Sequence, residues 1–166
     1  METDVNADIN AGNAGFHLAQ INVAQMKAPL DDPAMKRFVD WLAPINALAE
    51  RSPGYVWRLQ TAEGDATSLR VFDDEMMIVN MSAWESVEAL KDYVYYSAHV
   101  ELLKERRDWF DKMEKIHYAL WWIPAGHVPT PEEGRERLEL LQRLGPSPRA
   151  FIFSTTFAPA DEHVAS

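Results

Sequence analysis

Residues 55–83 read YVWRLQTAEGDATSLRVFDDEMMIVNMSA, and the way the two ends of this stretch are joined decides the fold. Runs 55–61 and 75–83 are rich in β-branched, aromatic and other apolar residues, which predicts two strands. The intervening 62–74 is polar and carries Gly64 and Asp65. Two consecutive strands without a helix between them form an antiparallel pair, which excludes the strict βα alternation of a parallel sheet.

Working outward, residues 16–23 (FHLAQINV) alternate, with His17, Ala19, Ile21 and Val23 on one side and Phe16, Leu18, Gln20 and Asn22 on the other. That spacing predicts a strand with both sides at least partly covered. Asp32-Pro33 is an N-cap followed by proline, and Met35, Phe38, Val39, Leu42, Ile45 and Leu48 or Ala49 continue as an apolar helical stripe in which Pro44 is a site for a bend. A Ser-Pro-Gly turn at 52–54 leads into the strand pair. Beyond it, WESVEALKDYV (84–94) predicts a short helix, followed by a longer one carrying His99. Residues 117–123 (HYALWWI) predict a strand ended by Pro124 and Gly126. Thr130-Pro131-Glu132-Glu133 starts a helix that runs to about Leu144 and stops at Gly145, and 150–157 (AFIFSTTF) reads as a last strand.

The order is β-α-β-β-α-β with an added α-β. It predicts an α+β fold: a ferredoxin-like split βαβ sheet with helices on one face. Strands apolar on both sides then leave the second face bare, and packing two such sheets about a two-fold axis predicts a homodimer. Residues 1–15 are expected to be a disordered tail, 16–157 one α+β domain, and 158–166 a second tail.

Composition narrows the partners. The chain has 166 residues, 47% hydrophobic and 25% charged, which suits one folded domain. Sixteen basic against 26 acidic residues give a net charge of −10, which argues against binding a phosphate backbone. There is no cysteine, so thiolate nucleophiles, disulfides and Cys-ligated metals are excluded. The first residues lack a signal-peptide pattern and no apolar run approaches the ~20 residues of a membrane span, so neither nucleic acid nor membrane is expected and the predicted location is cytoplasmic.

One segment poses a chemical question. In YYSAHVELLKERRDWF (95–110), helical spacing puts Tyr95, His99, Leu102, Arg106, Trp109 and Met113 on one apolar stripe. A buried imidazole and guanidinium need partners or a polar cavity. Functionally, His99 is a general base and Arg106 a clamp for a substrate carboxylate or enolate; structurally, His99 is a core histidine and Arg106 pairs with Glu101, Glu105 or Asp108. Trp57, Trp84, Tyr95, Trp109 and Trp121 offer walls for a flat apolar ligand, packing being the cheaper explanation for most. Trp121 and Trp122 are adjacent on a strand and must face opposite sides. His127, in the PAGHVPTP loop, is placed to sit over a pocket mouth. No Ser-His-Asp, HExxH, P-loop or GxGxxG pattern is present.

The runs WESVEALKDYVYYSAHVELLKERRDWF and YALWWIPAGHVPTPEEGRERLELLQRLGPSPRAFIF resemble an uncharacterised bacterial family of the dimeric α+β barrel superfamily. The W…S-x-H pattern from Trp84 to His99 is loosely similar to antibiotic-biosynthesis monooxygenases. The resemblance implies a pocket in each protomer between sheet and helices, and leaves the reaction open. Asn22, Trp84 and His99 are similar in type and order to the trio of small haem-degrading members, so haem on His99 is the alternative to an expectation of no cofactor. The reading is a homodimeric enzyme acting on an apolar or aromatic small molecule by acid–base or cofactor-independent oxygenase chemistry. His99 would be the base, Arg106 and Asn22 the oxyanion stabilisers. Haem binding or breakdown, and a non-catalytic ligand-binding dimer module, are the alternatives.

Overall fold

The computed structural model describes residues 15–60, 76–96, 104–113 and 115–159. In chain order these form β1 (Phe16–Gln25), a 3-10 turn (Pro33–Met35), α1 (Lys36–Glu50), β2 (Tyr55–Arg58), β3 (Met77–Trp84), α2 (Val87–Tyr96), the single turn α3 (Arg106–Trp109), β4 (Tyr118–Pro124) and α4 (Pro131–Leu144). The sheet order is β2-β3-β1-β4, with every neighbouring pair antiparallel. β1 and β2 therefore run parallel with β3 inserted between them, which is the split βαβ arrangement expected from the sequence. Residues 1–14, 61–75, 97–103, 114 and 160–166 lie outside the described residues.

Alternation along the strands builds two different faces. Ala19, Ile21 and Val23 of β1, Val79, Met81 and Ala83 of β3, and Ala119, Trp121 and Ile123 of β4 share one buried cluster with Leu138, Leu140 and Leu141 of α4. Leu18, Trp84, Leu120 and Trp122 point to the opposite face and pack with Ala49 of α1 and Leu90 of α2. Helices thus cover both faces. The expectation of helices on one side only is corrected: the second face meets α4 of its own chain. Gly134 allows the close approach, since a Cβ there would lie 2.9 Å from Ile21 Cδ1 and 3.0 Å from Met81 Cε.

Local signals read from the sequence appear as caps. Asp32 Oδ1 accepts from Ala34 N at 2.8 Å, Thr130 Oγ1 accepts from Glu133 N at 3.1 Å, and Gly145, at φ 79°, ends α4. α1 runs through Pro44 without interruption. The last strand does not form. Only Phe151 bridges β4, exchanging backbone bonds of 2.8 and 2.9 Å with Leu120, and the chain turns back through an Ile152–Thr155 bridge. The added α-β is therefore a helix and one bridge, because Phe151 and, less completely, Phe153 and Phe157 turn into the cluster around Trp84 rather than continuing along the edge.

Candidate functional site

A cavity of about 430 Å³ lies between the sheet and α1–α2. Its floor follows from strand register. Gln20 pairs with Ser82 and Leu120, and Asn22 with Asn80 and Tyr118, so two rows of polar side chains sit side by side on a sheet face that is otherwise apolar. Phe38, Leu42 and Ile45 of α1 and Leu90, Tyr93 and Val94 of α2 supply walls, and Arg58, Arg106, His117 and Phe153 complete the lining. Trp84 closes one end. It is fully buried, stacks on Tyr93 at 5.1 Å and meets the edge of Tyr55 at 5.7 Å.

The floor is a graded hydrogen-bond network. Gln20 Nε2 donates to Asn80 Oδ1 at 2.7 Å and Ser82 Oγ at 2.9 Å, and Trp84 Nε1 donates to the same hydroxyl at 2.9 Å. These bonds fix Gln20 and Ser82, which are both buried. Asn22 Nδ2 reaches Gln20 Oε1 only at 3.3 Å and Asn80 Oδ1 at 3.4 Å. Both exceed the ordinary N–H···O range of about 2.7–3.2 Å, so the Asn22 amide is the donor most easily turned to a ligand oxygen.

Titratable groups edge this floor. Burial, and then the positive charge of Arg106, hold the His117 imidazole below its ordinary pKa, so the ring is neutral at neutral pH. Burial raises Tyr93, against an opposing effect of Arg58, and its hydroxyl donates to Ile45 O at 3.2 Å. Tyr118 is also raised by burial, opposed by the 3.1 Å bond its oxygen accepts from Phe153 N. Neutral phenols and a neutral imidazole face the same space.

Of the residues expected from the sequence, Asn22, Trp84, Tyr95 and Arg106 line the cavity. Trp57, Trp109, Trp121 and His127 do not. Trp121 falls on the α4 face by strand parity, and Trp57 reaches it through the register shift that follows Tyr55. Trp121 Nε1 donates to Glu133 Oε2 at 2.9 Å, and His127 Nε2 lies 2.7 Å from Glu133 Oε1, so that histidine braces the start of α4 on the far side. Trp109 is buried in a separate cluster with Met26, Met35 and Phe38. Trp122 belongs to the cavity face but bonds Phe157 O at 2.7 Å and does not line the space. The Tyr95-to-Met113 stripe is not one helix face, because Phe110 is extended (φ −128°, ψ 142°) and Met113 turns to the α4 side. His99, expected as the base and as the alternative haem ligand, lies outside the described residues. Among the described residues no group of three or more His, Asp or Glu converges on a metal position.

Gln20, Asn80, Ser82, Arg58 and His117 were not expected in the site. The signal existed: Gln20 and Asn22, and Asn80 and Ser82, are two-residue polar steps within apolar strands, which puts each pair on one face. His117 begins its predicted strand, a position where a rim histidine is the expected reading.

The family model described as a domain of unknown function, DUF3291, matches residues 17–166, and the chain belongs to that family. No functionally curated protein matches the sequence. Among solved structures, the chain is similar to SnoaB, a cofactor-independent oxygenase from Streptomyces nogalater, at 15% identity and TM-score 0.45 over 68% of this chain and 95% of that one. A conserved protein from Methanosarcina mazei Go1 is similar at 10% identity and TM-score 0.46, over 68% and 95%. NE2512, a protein of unknown function from Nitrosomonas europaea, is similar at 11% identity and TM-score 0.44, over 70% and 96%. Identities and TM-scores this low carry no chemistry from those proteins to this chain.

Proposed function

We propose that this member of the DUF3291 family is a small-molecule enzyme that removes a proton from an apolar, carbonyl-bearing substrate held between sheet and helices. One observation carries the reading: a neutral imidazole and an under-engaged amide donor line the same apolar-walled space. The cavity volume falls within the range of small-molecule sites. In the proposed step His117 takes a proton from carbon next to the carbonyl, the C–H electron pair moves to form the enolate, and Asn22 Nδ2 donates to the oxyanion. Arg106 beside the ring favours its neutral, proton-accepting form. The enolate is the shared starting point for reprotonation at another carbon, as in an isomerase, or for reaction with dioxygen, as in a cofactor-independent oxygenase. Proton transfer to His117 itself calls for no cofactor.

The test is carbon-acid exchange. Wild-type protein is expected to accelerate exchange of the α-hydrogens of 2-indanone with D2O, followed by proton NMR, and His117→Gln to lower the catalysed rate about 10²–10⁴-fold. Exchange no faster than in buffer, or a fully active His117→Gln protein, would overturn the proposal.

A further inference from the structure

The charge lining the cavity runs against the charge of the protein. Acidic residues outnumber basic ones by 26 to 16, yet among the described residues no Asp or Glu lines the space, while Arg58, Arg106 and His117 do. The two guanidinium groups are not equivalent. Arg58 sits on β2, and its Nε is 2.8 Å from Glu50 Oε1, so its charge is balanced from the outer side. Arg106 acts electrostatically on His117, which leads into β4, the edge of the sheet opposite β2 and three strand spacings, about 14 Å, from it. The carboxylate next to it in sequence, Glu105, is engaged with Arg37 at 2.6 Å, and among the described residues Arg106 forms no ion pair. A half-buried guanidinium without a counter-charge is unfavourable until an anion arrives.

We infer that the ligand of this cavity is an organic monoanion, an apolar or aromatic carboxylate whose acid group is held by Arg106 while its body lies against the α1–α2 wall. The inference rests on the proposed function and narrows its substrate to an oxo acid: one carbonyl oxygen for the Asn22 amide and one carboxylate for Arg106. The two anchors share one end of the cavity: Asn22 of β1 pairs with Tyr118, the neighbour of His117 on which Arg106 acts. A guanidinium that forms no ion pair among the described residues selects one negative charge, and its planar shape suits a carboxylate bound through two parallel hydrogen bonds. The aromatic rings of Tyr95, Tyr118 and Phe153, in contact at 5.7–5.8 Å around this end, match an arene or an enone more closely than a sugar.

A matched pair of probes tests the charge. 2-Naphthoate and its neutral isostere 2-naphthamide are titrated by calorimetry into wild type, Arg106→Gln and Arg58→Gln. The expected result is that wild type binds naphthoate about tenfold or more tighter than naphthamide, that Arg106→Gln loses this preference, and that Arg58→Gln keeps it. A cooperative urea transition at the wild-type midpoint shows that the Arg106 variant is folded. Should that variant fail to fold, NMR titration of His117 in wild type decides: bound naphthoate is expected to raise the ring's pKa by cancelling the field of Arg106, and bound naphthamide to leave it unchanged. Equal binding of the two probes by wild type overturns the inference and leaves the cavity reading standing, whereas failure of both to bind overturns the two together. A preference that survives in Arg106→Gln removes the role given to Arg106.

Discussion

Replacing Gly54 with alanine tests how the roof of the cavity is held. Gly54 lies in the turn before β2 at φ +84°, and its carbonyl accepts from Glu85 N at 2.8 Å, just ahead of α2. An alanine in the left-handed region costs roughly 1–2 kcal/mol. Its Cβ would stand 2.5 Å from the Cβ of Ala89, well inside the roughly 3.5–4.0 Å that two carbons tolerate. Neither atom is the end of a flexible side chain, so α2 must withdraw by about 1 Å, and overpacking of this kind costs about 1–3 kcal/mol. Reduced freedom of the unfolded chain returns about 0.4–1 kcal/mol. The net expectation is a loss of about 1.5–4 kcal/mol, or roughly 5–12 °C in Tm for a chain of this length. The assay is a double-mutant cycle by urea denaturation. Ala89→Gly alone costs about 1 kcal/mol as a helix-interior glycine, but combined with Gly54→Ala it removes the clash, giving a coupling of about 1–3 kcal/mol. Effects that add to within about 0.5 kcal/mol would refute the close contact and the seating of Leu90, Tyr93 and Val94 over the cavity.

Three further outcomes are expected. Trp121→Phe strips Glu133 of its 2.9 Å indole donor and should cost about 1–3 kcal/mol in chemical denaturation, with naphthamide affinity unchanged because the change lies on the α4 face. Asn22→Leu should alter stability by less than about 1 kcal/mol, its bonds being long, yet reduce catalysed 2-indanone exchange about 10²–10³-fold; a large stability loss with exchange intact would reverse the role assigned to it. Because His117 is depressed from its ordinary 6.5, the unfolded chain takes up a proton there first as pH falls. That cost is absent above pH 6.5, grows as pH drops through it, and levels off below the folded-state pKa. Urea midpoints of wild type and His117→Gln should therefore diverge only on the acid side.

Much of the architecture was legible because it rests on local chemistry. The alternation in residues 16–23, the Asp32 and Thr130 caps and the Gly145 stop each depend on neighbours within a few residues. What failed depends on which helix covers which face. Register places Trp57 and Trp121 on one face once β2 shifts after Tyr55, but nothing local says that α4 lies over them. The Tyr95-to-Met113 stripe failed for a related reason: spacing assumes one continuous helix, and the extended backbone at Phe110 ends it. Asn22, Trp84, Tyr95 and Arg106 line the cavity, whereas its amide floor is a property of register. Asn80 and Ser82 become neighbours of Asn22 and Gln20 only once β3 lies beside β1.

The central claim is that a ligand enters above this floor. It is tested most directly by following the side-chain amide resonances of Gln20, Asn22 and Asn80 while 2-indanone is added. The Asn22 Nδ2 signals are expected to move most and to saturate with the binding curve, Gln20 moving less because its two short bonds already hold it. Shifts confined to the α4 face, with the Asn22 amide unmoved at saturation, would contradict the account.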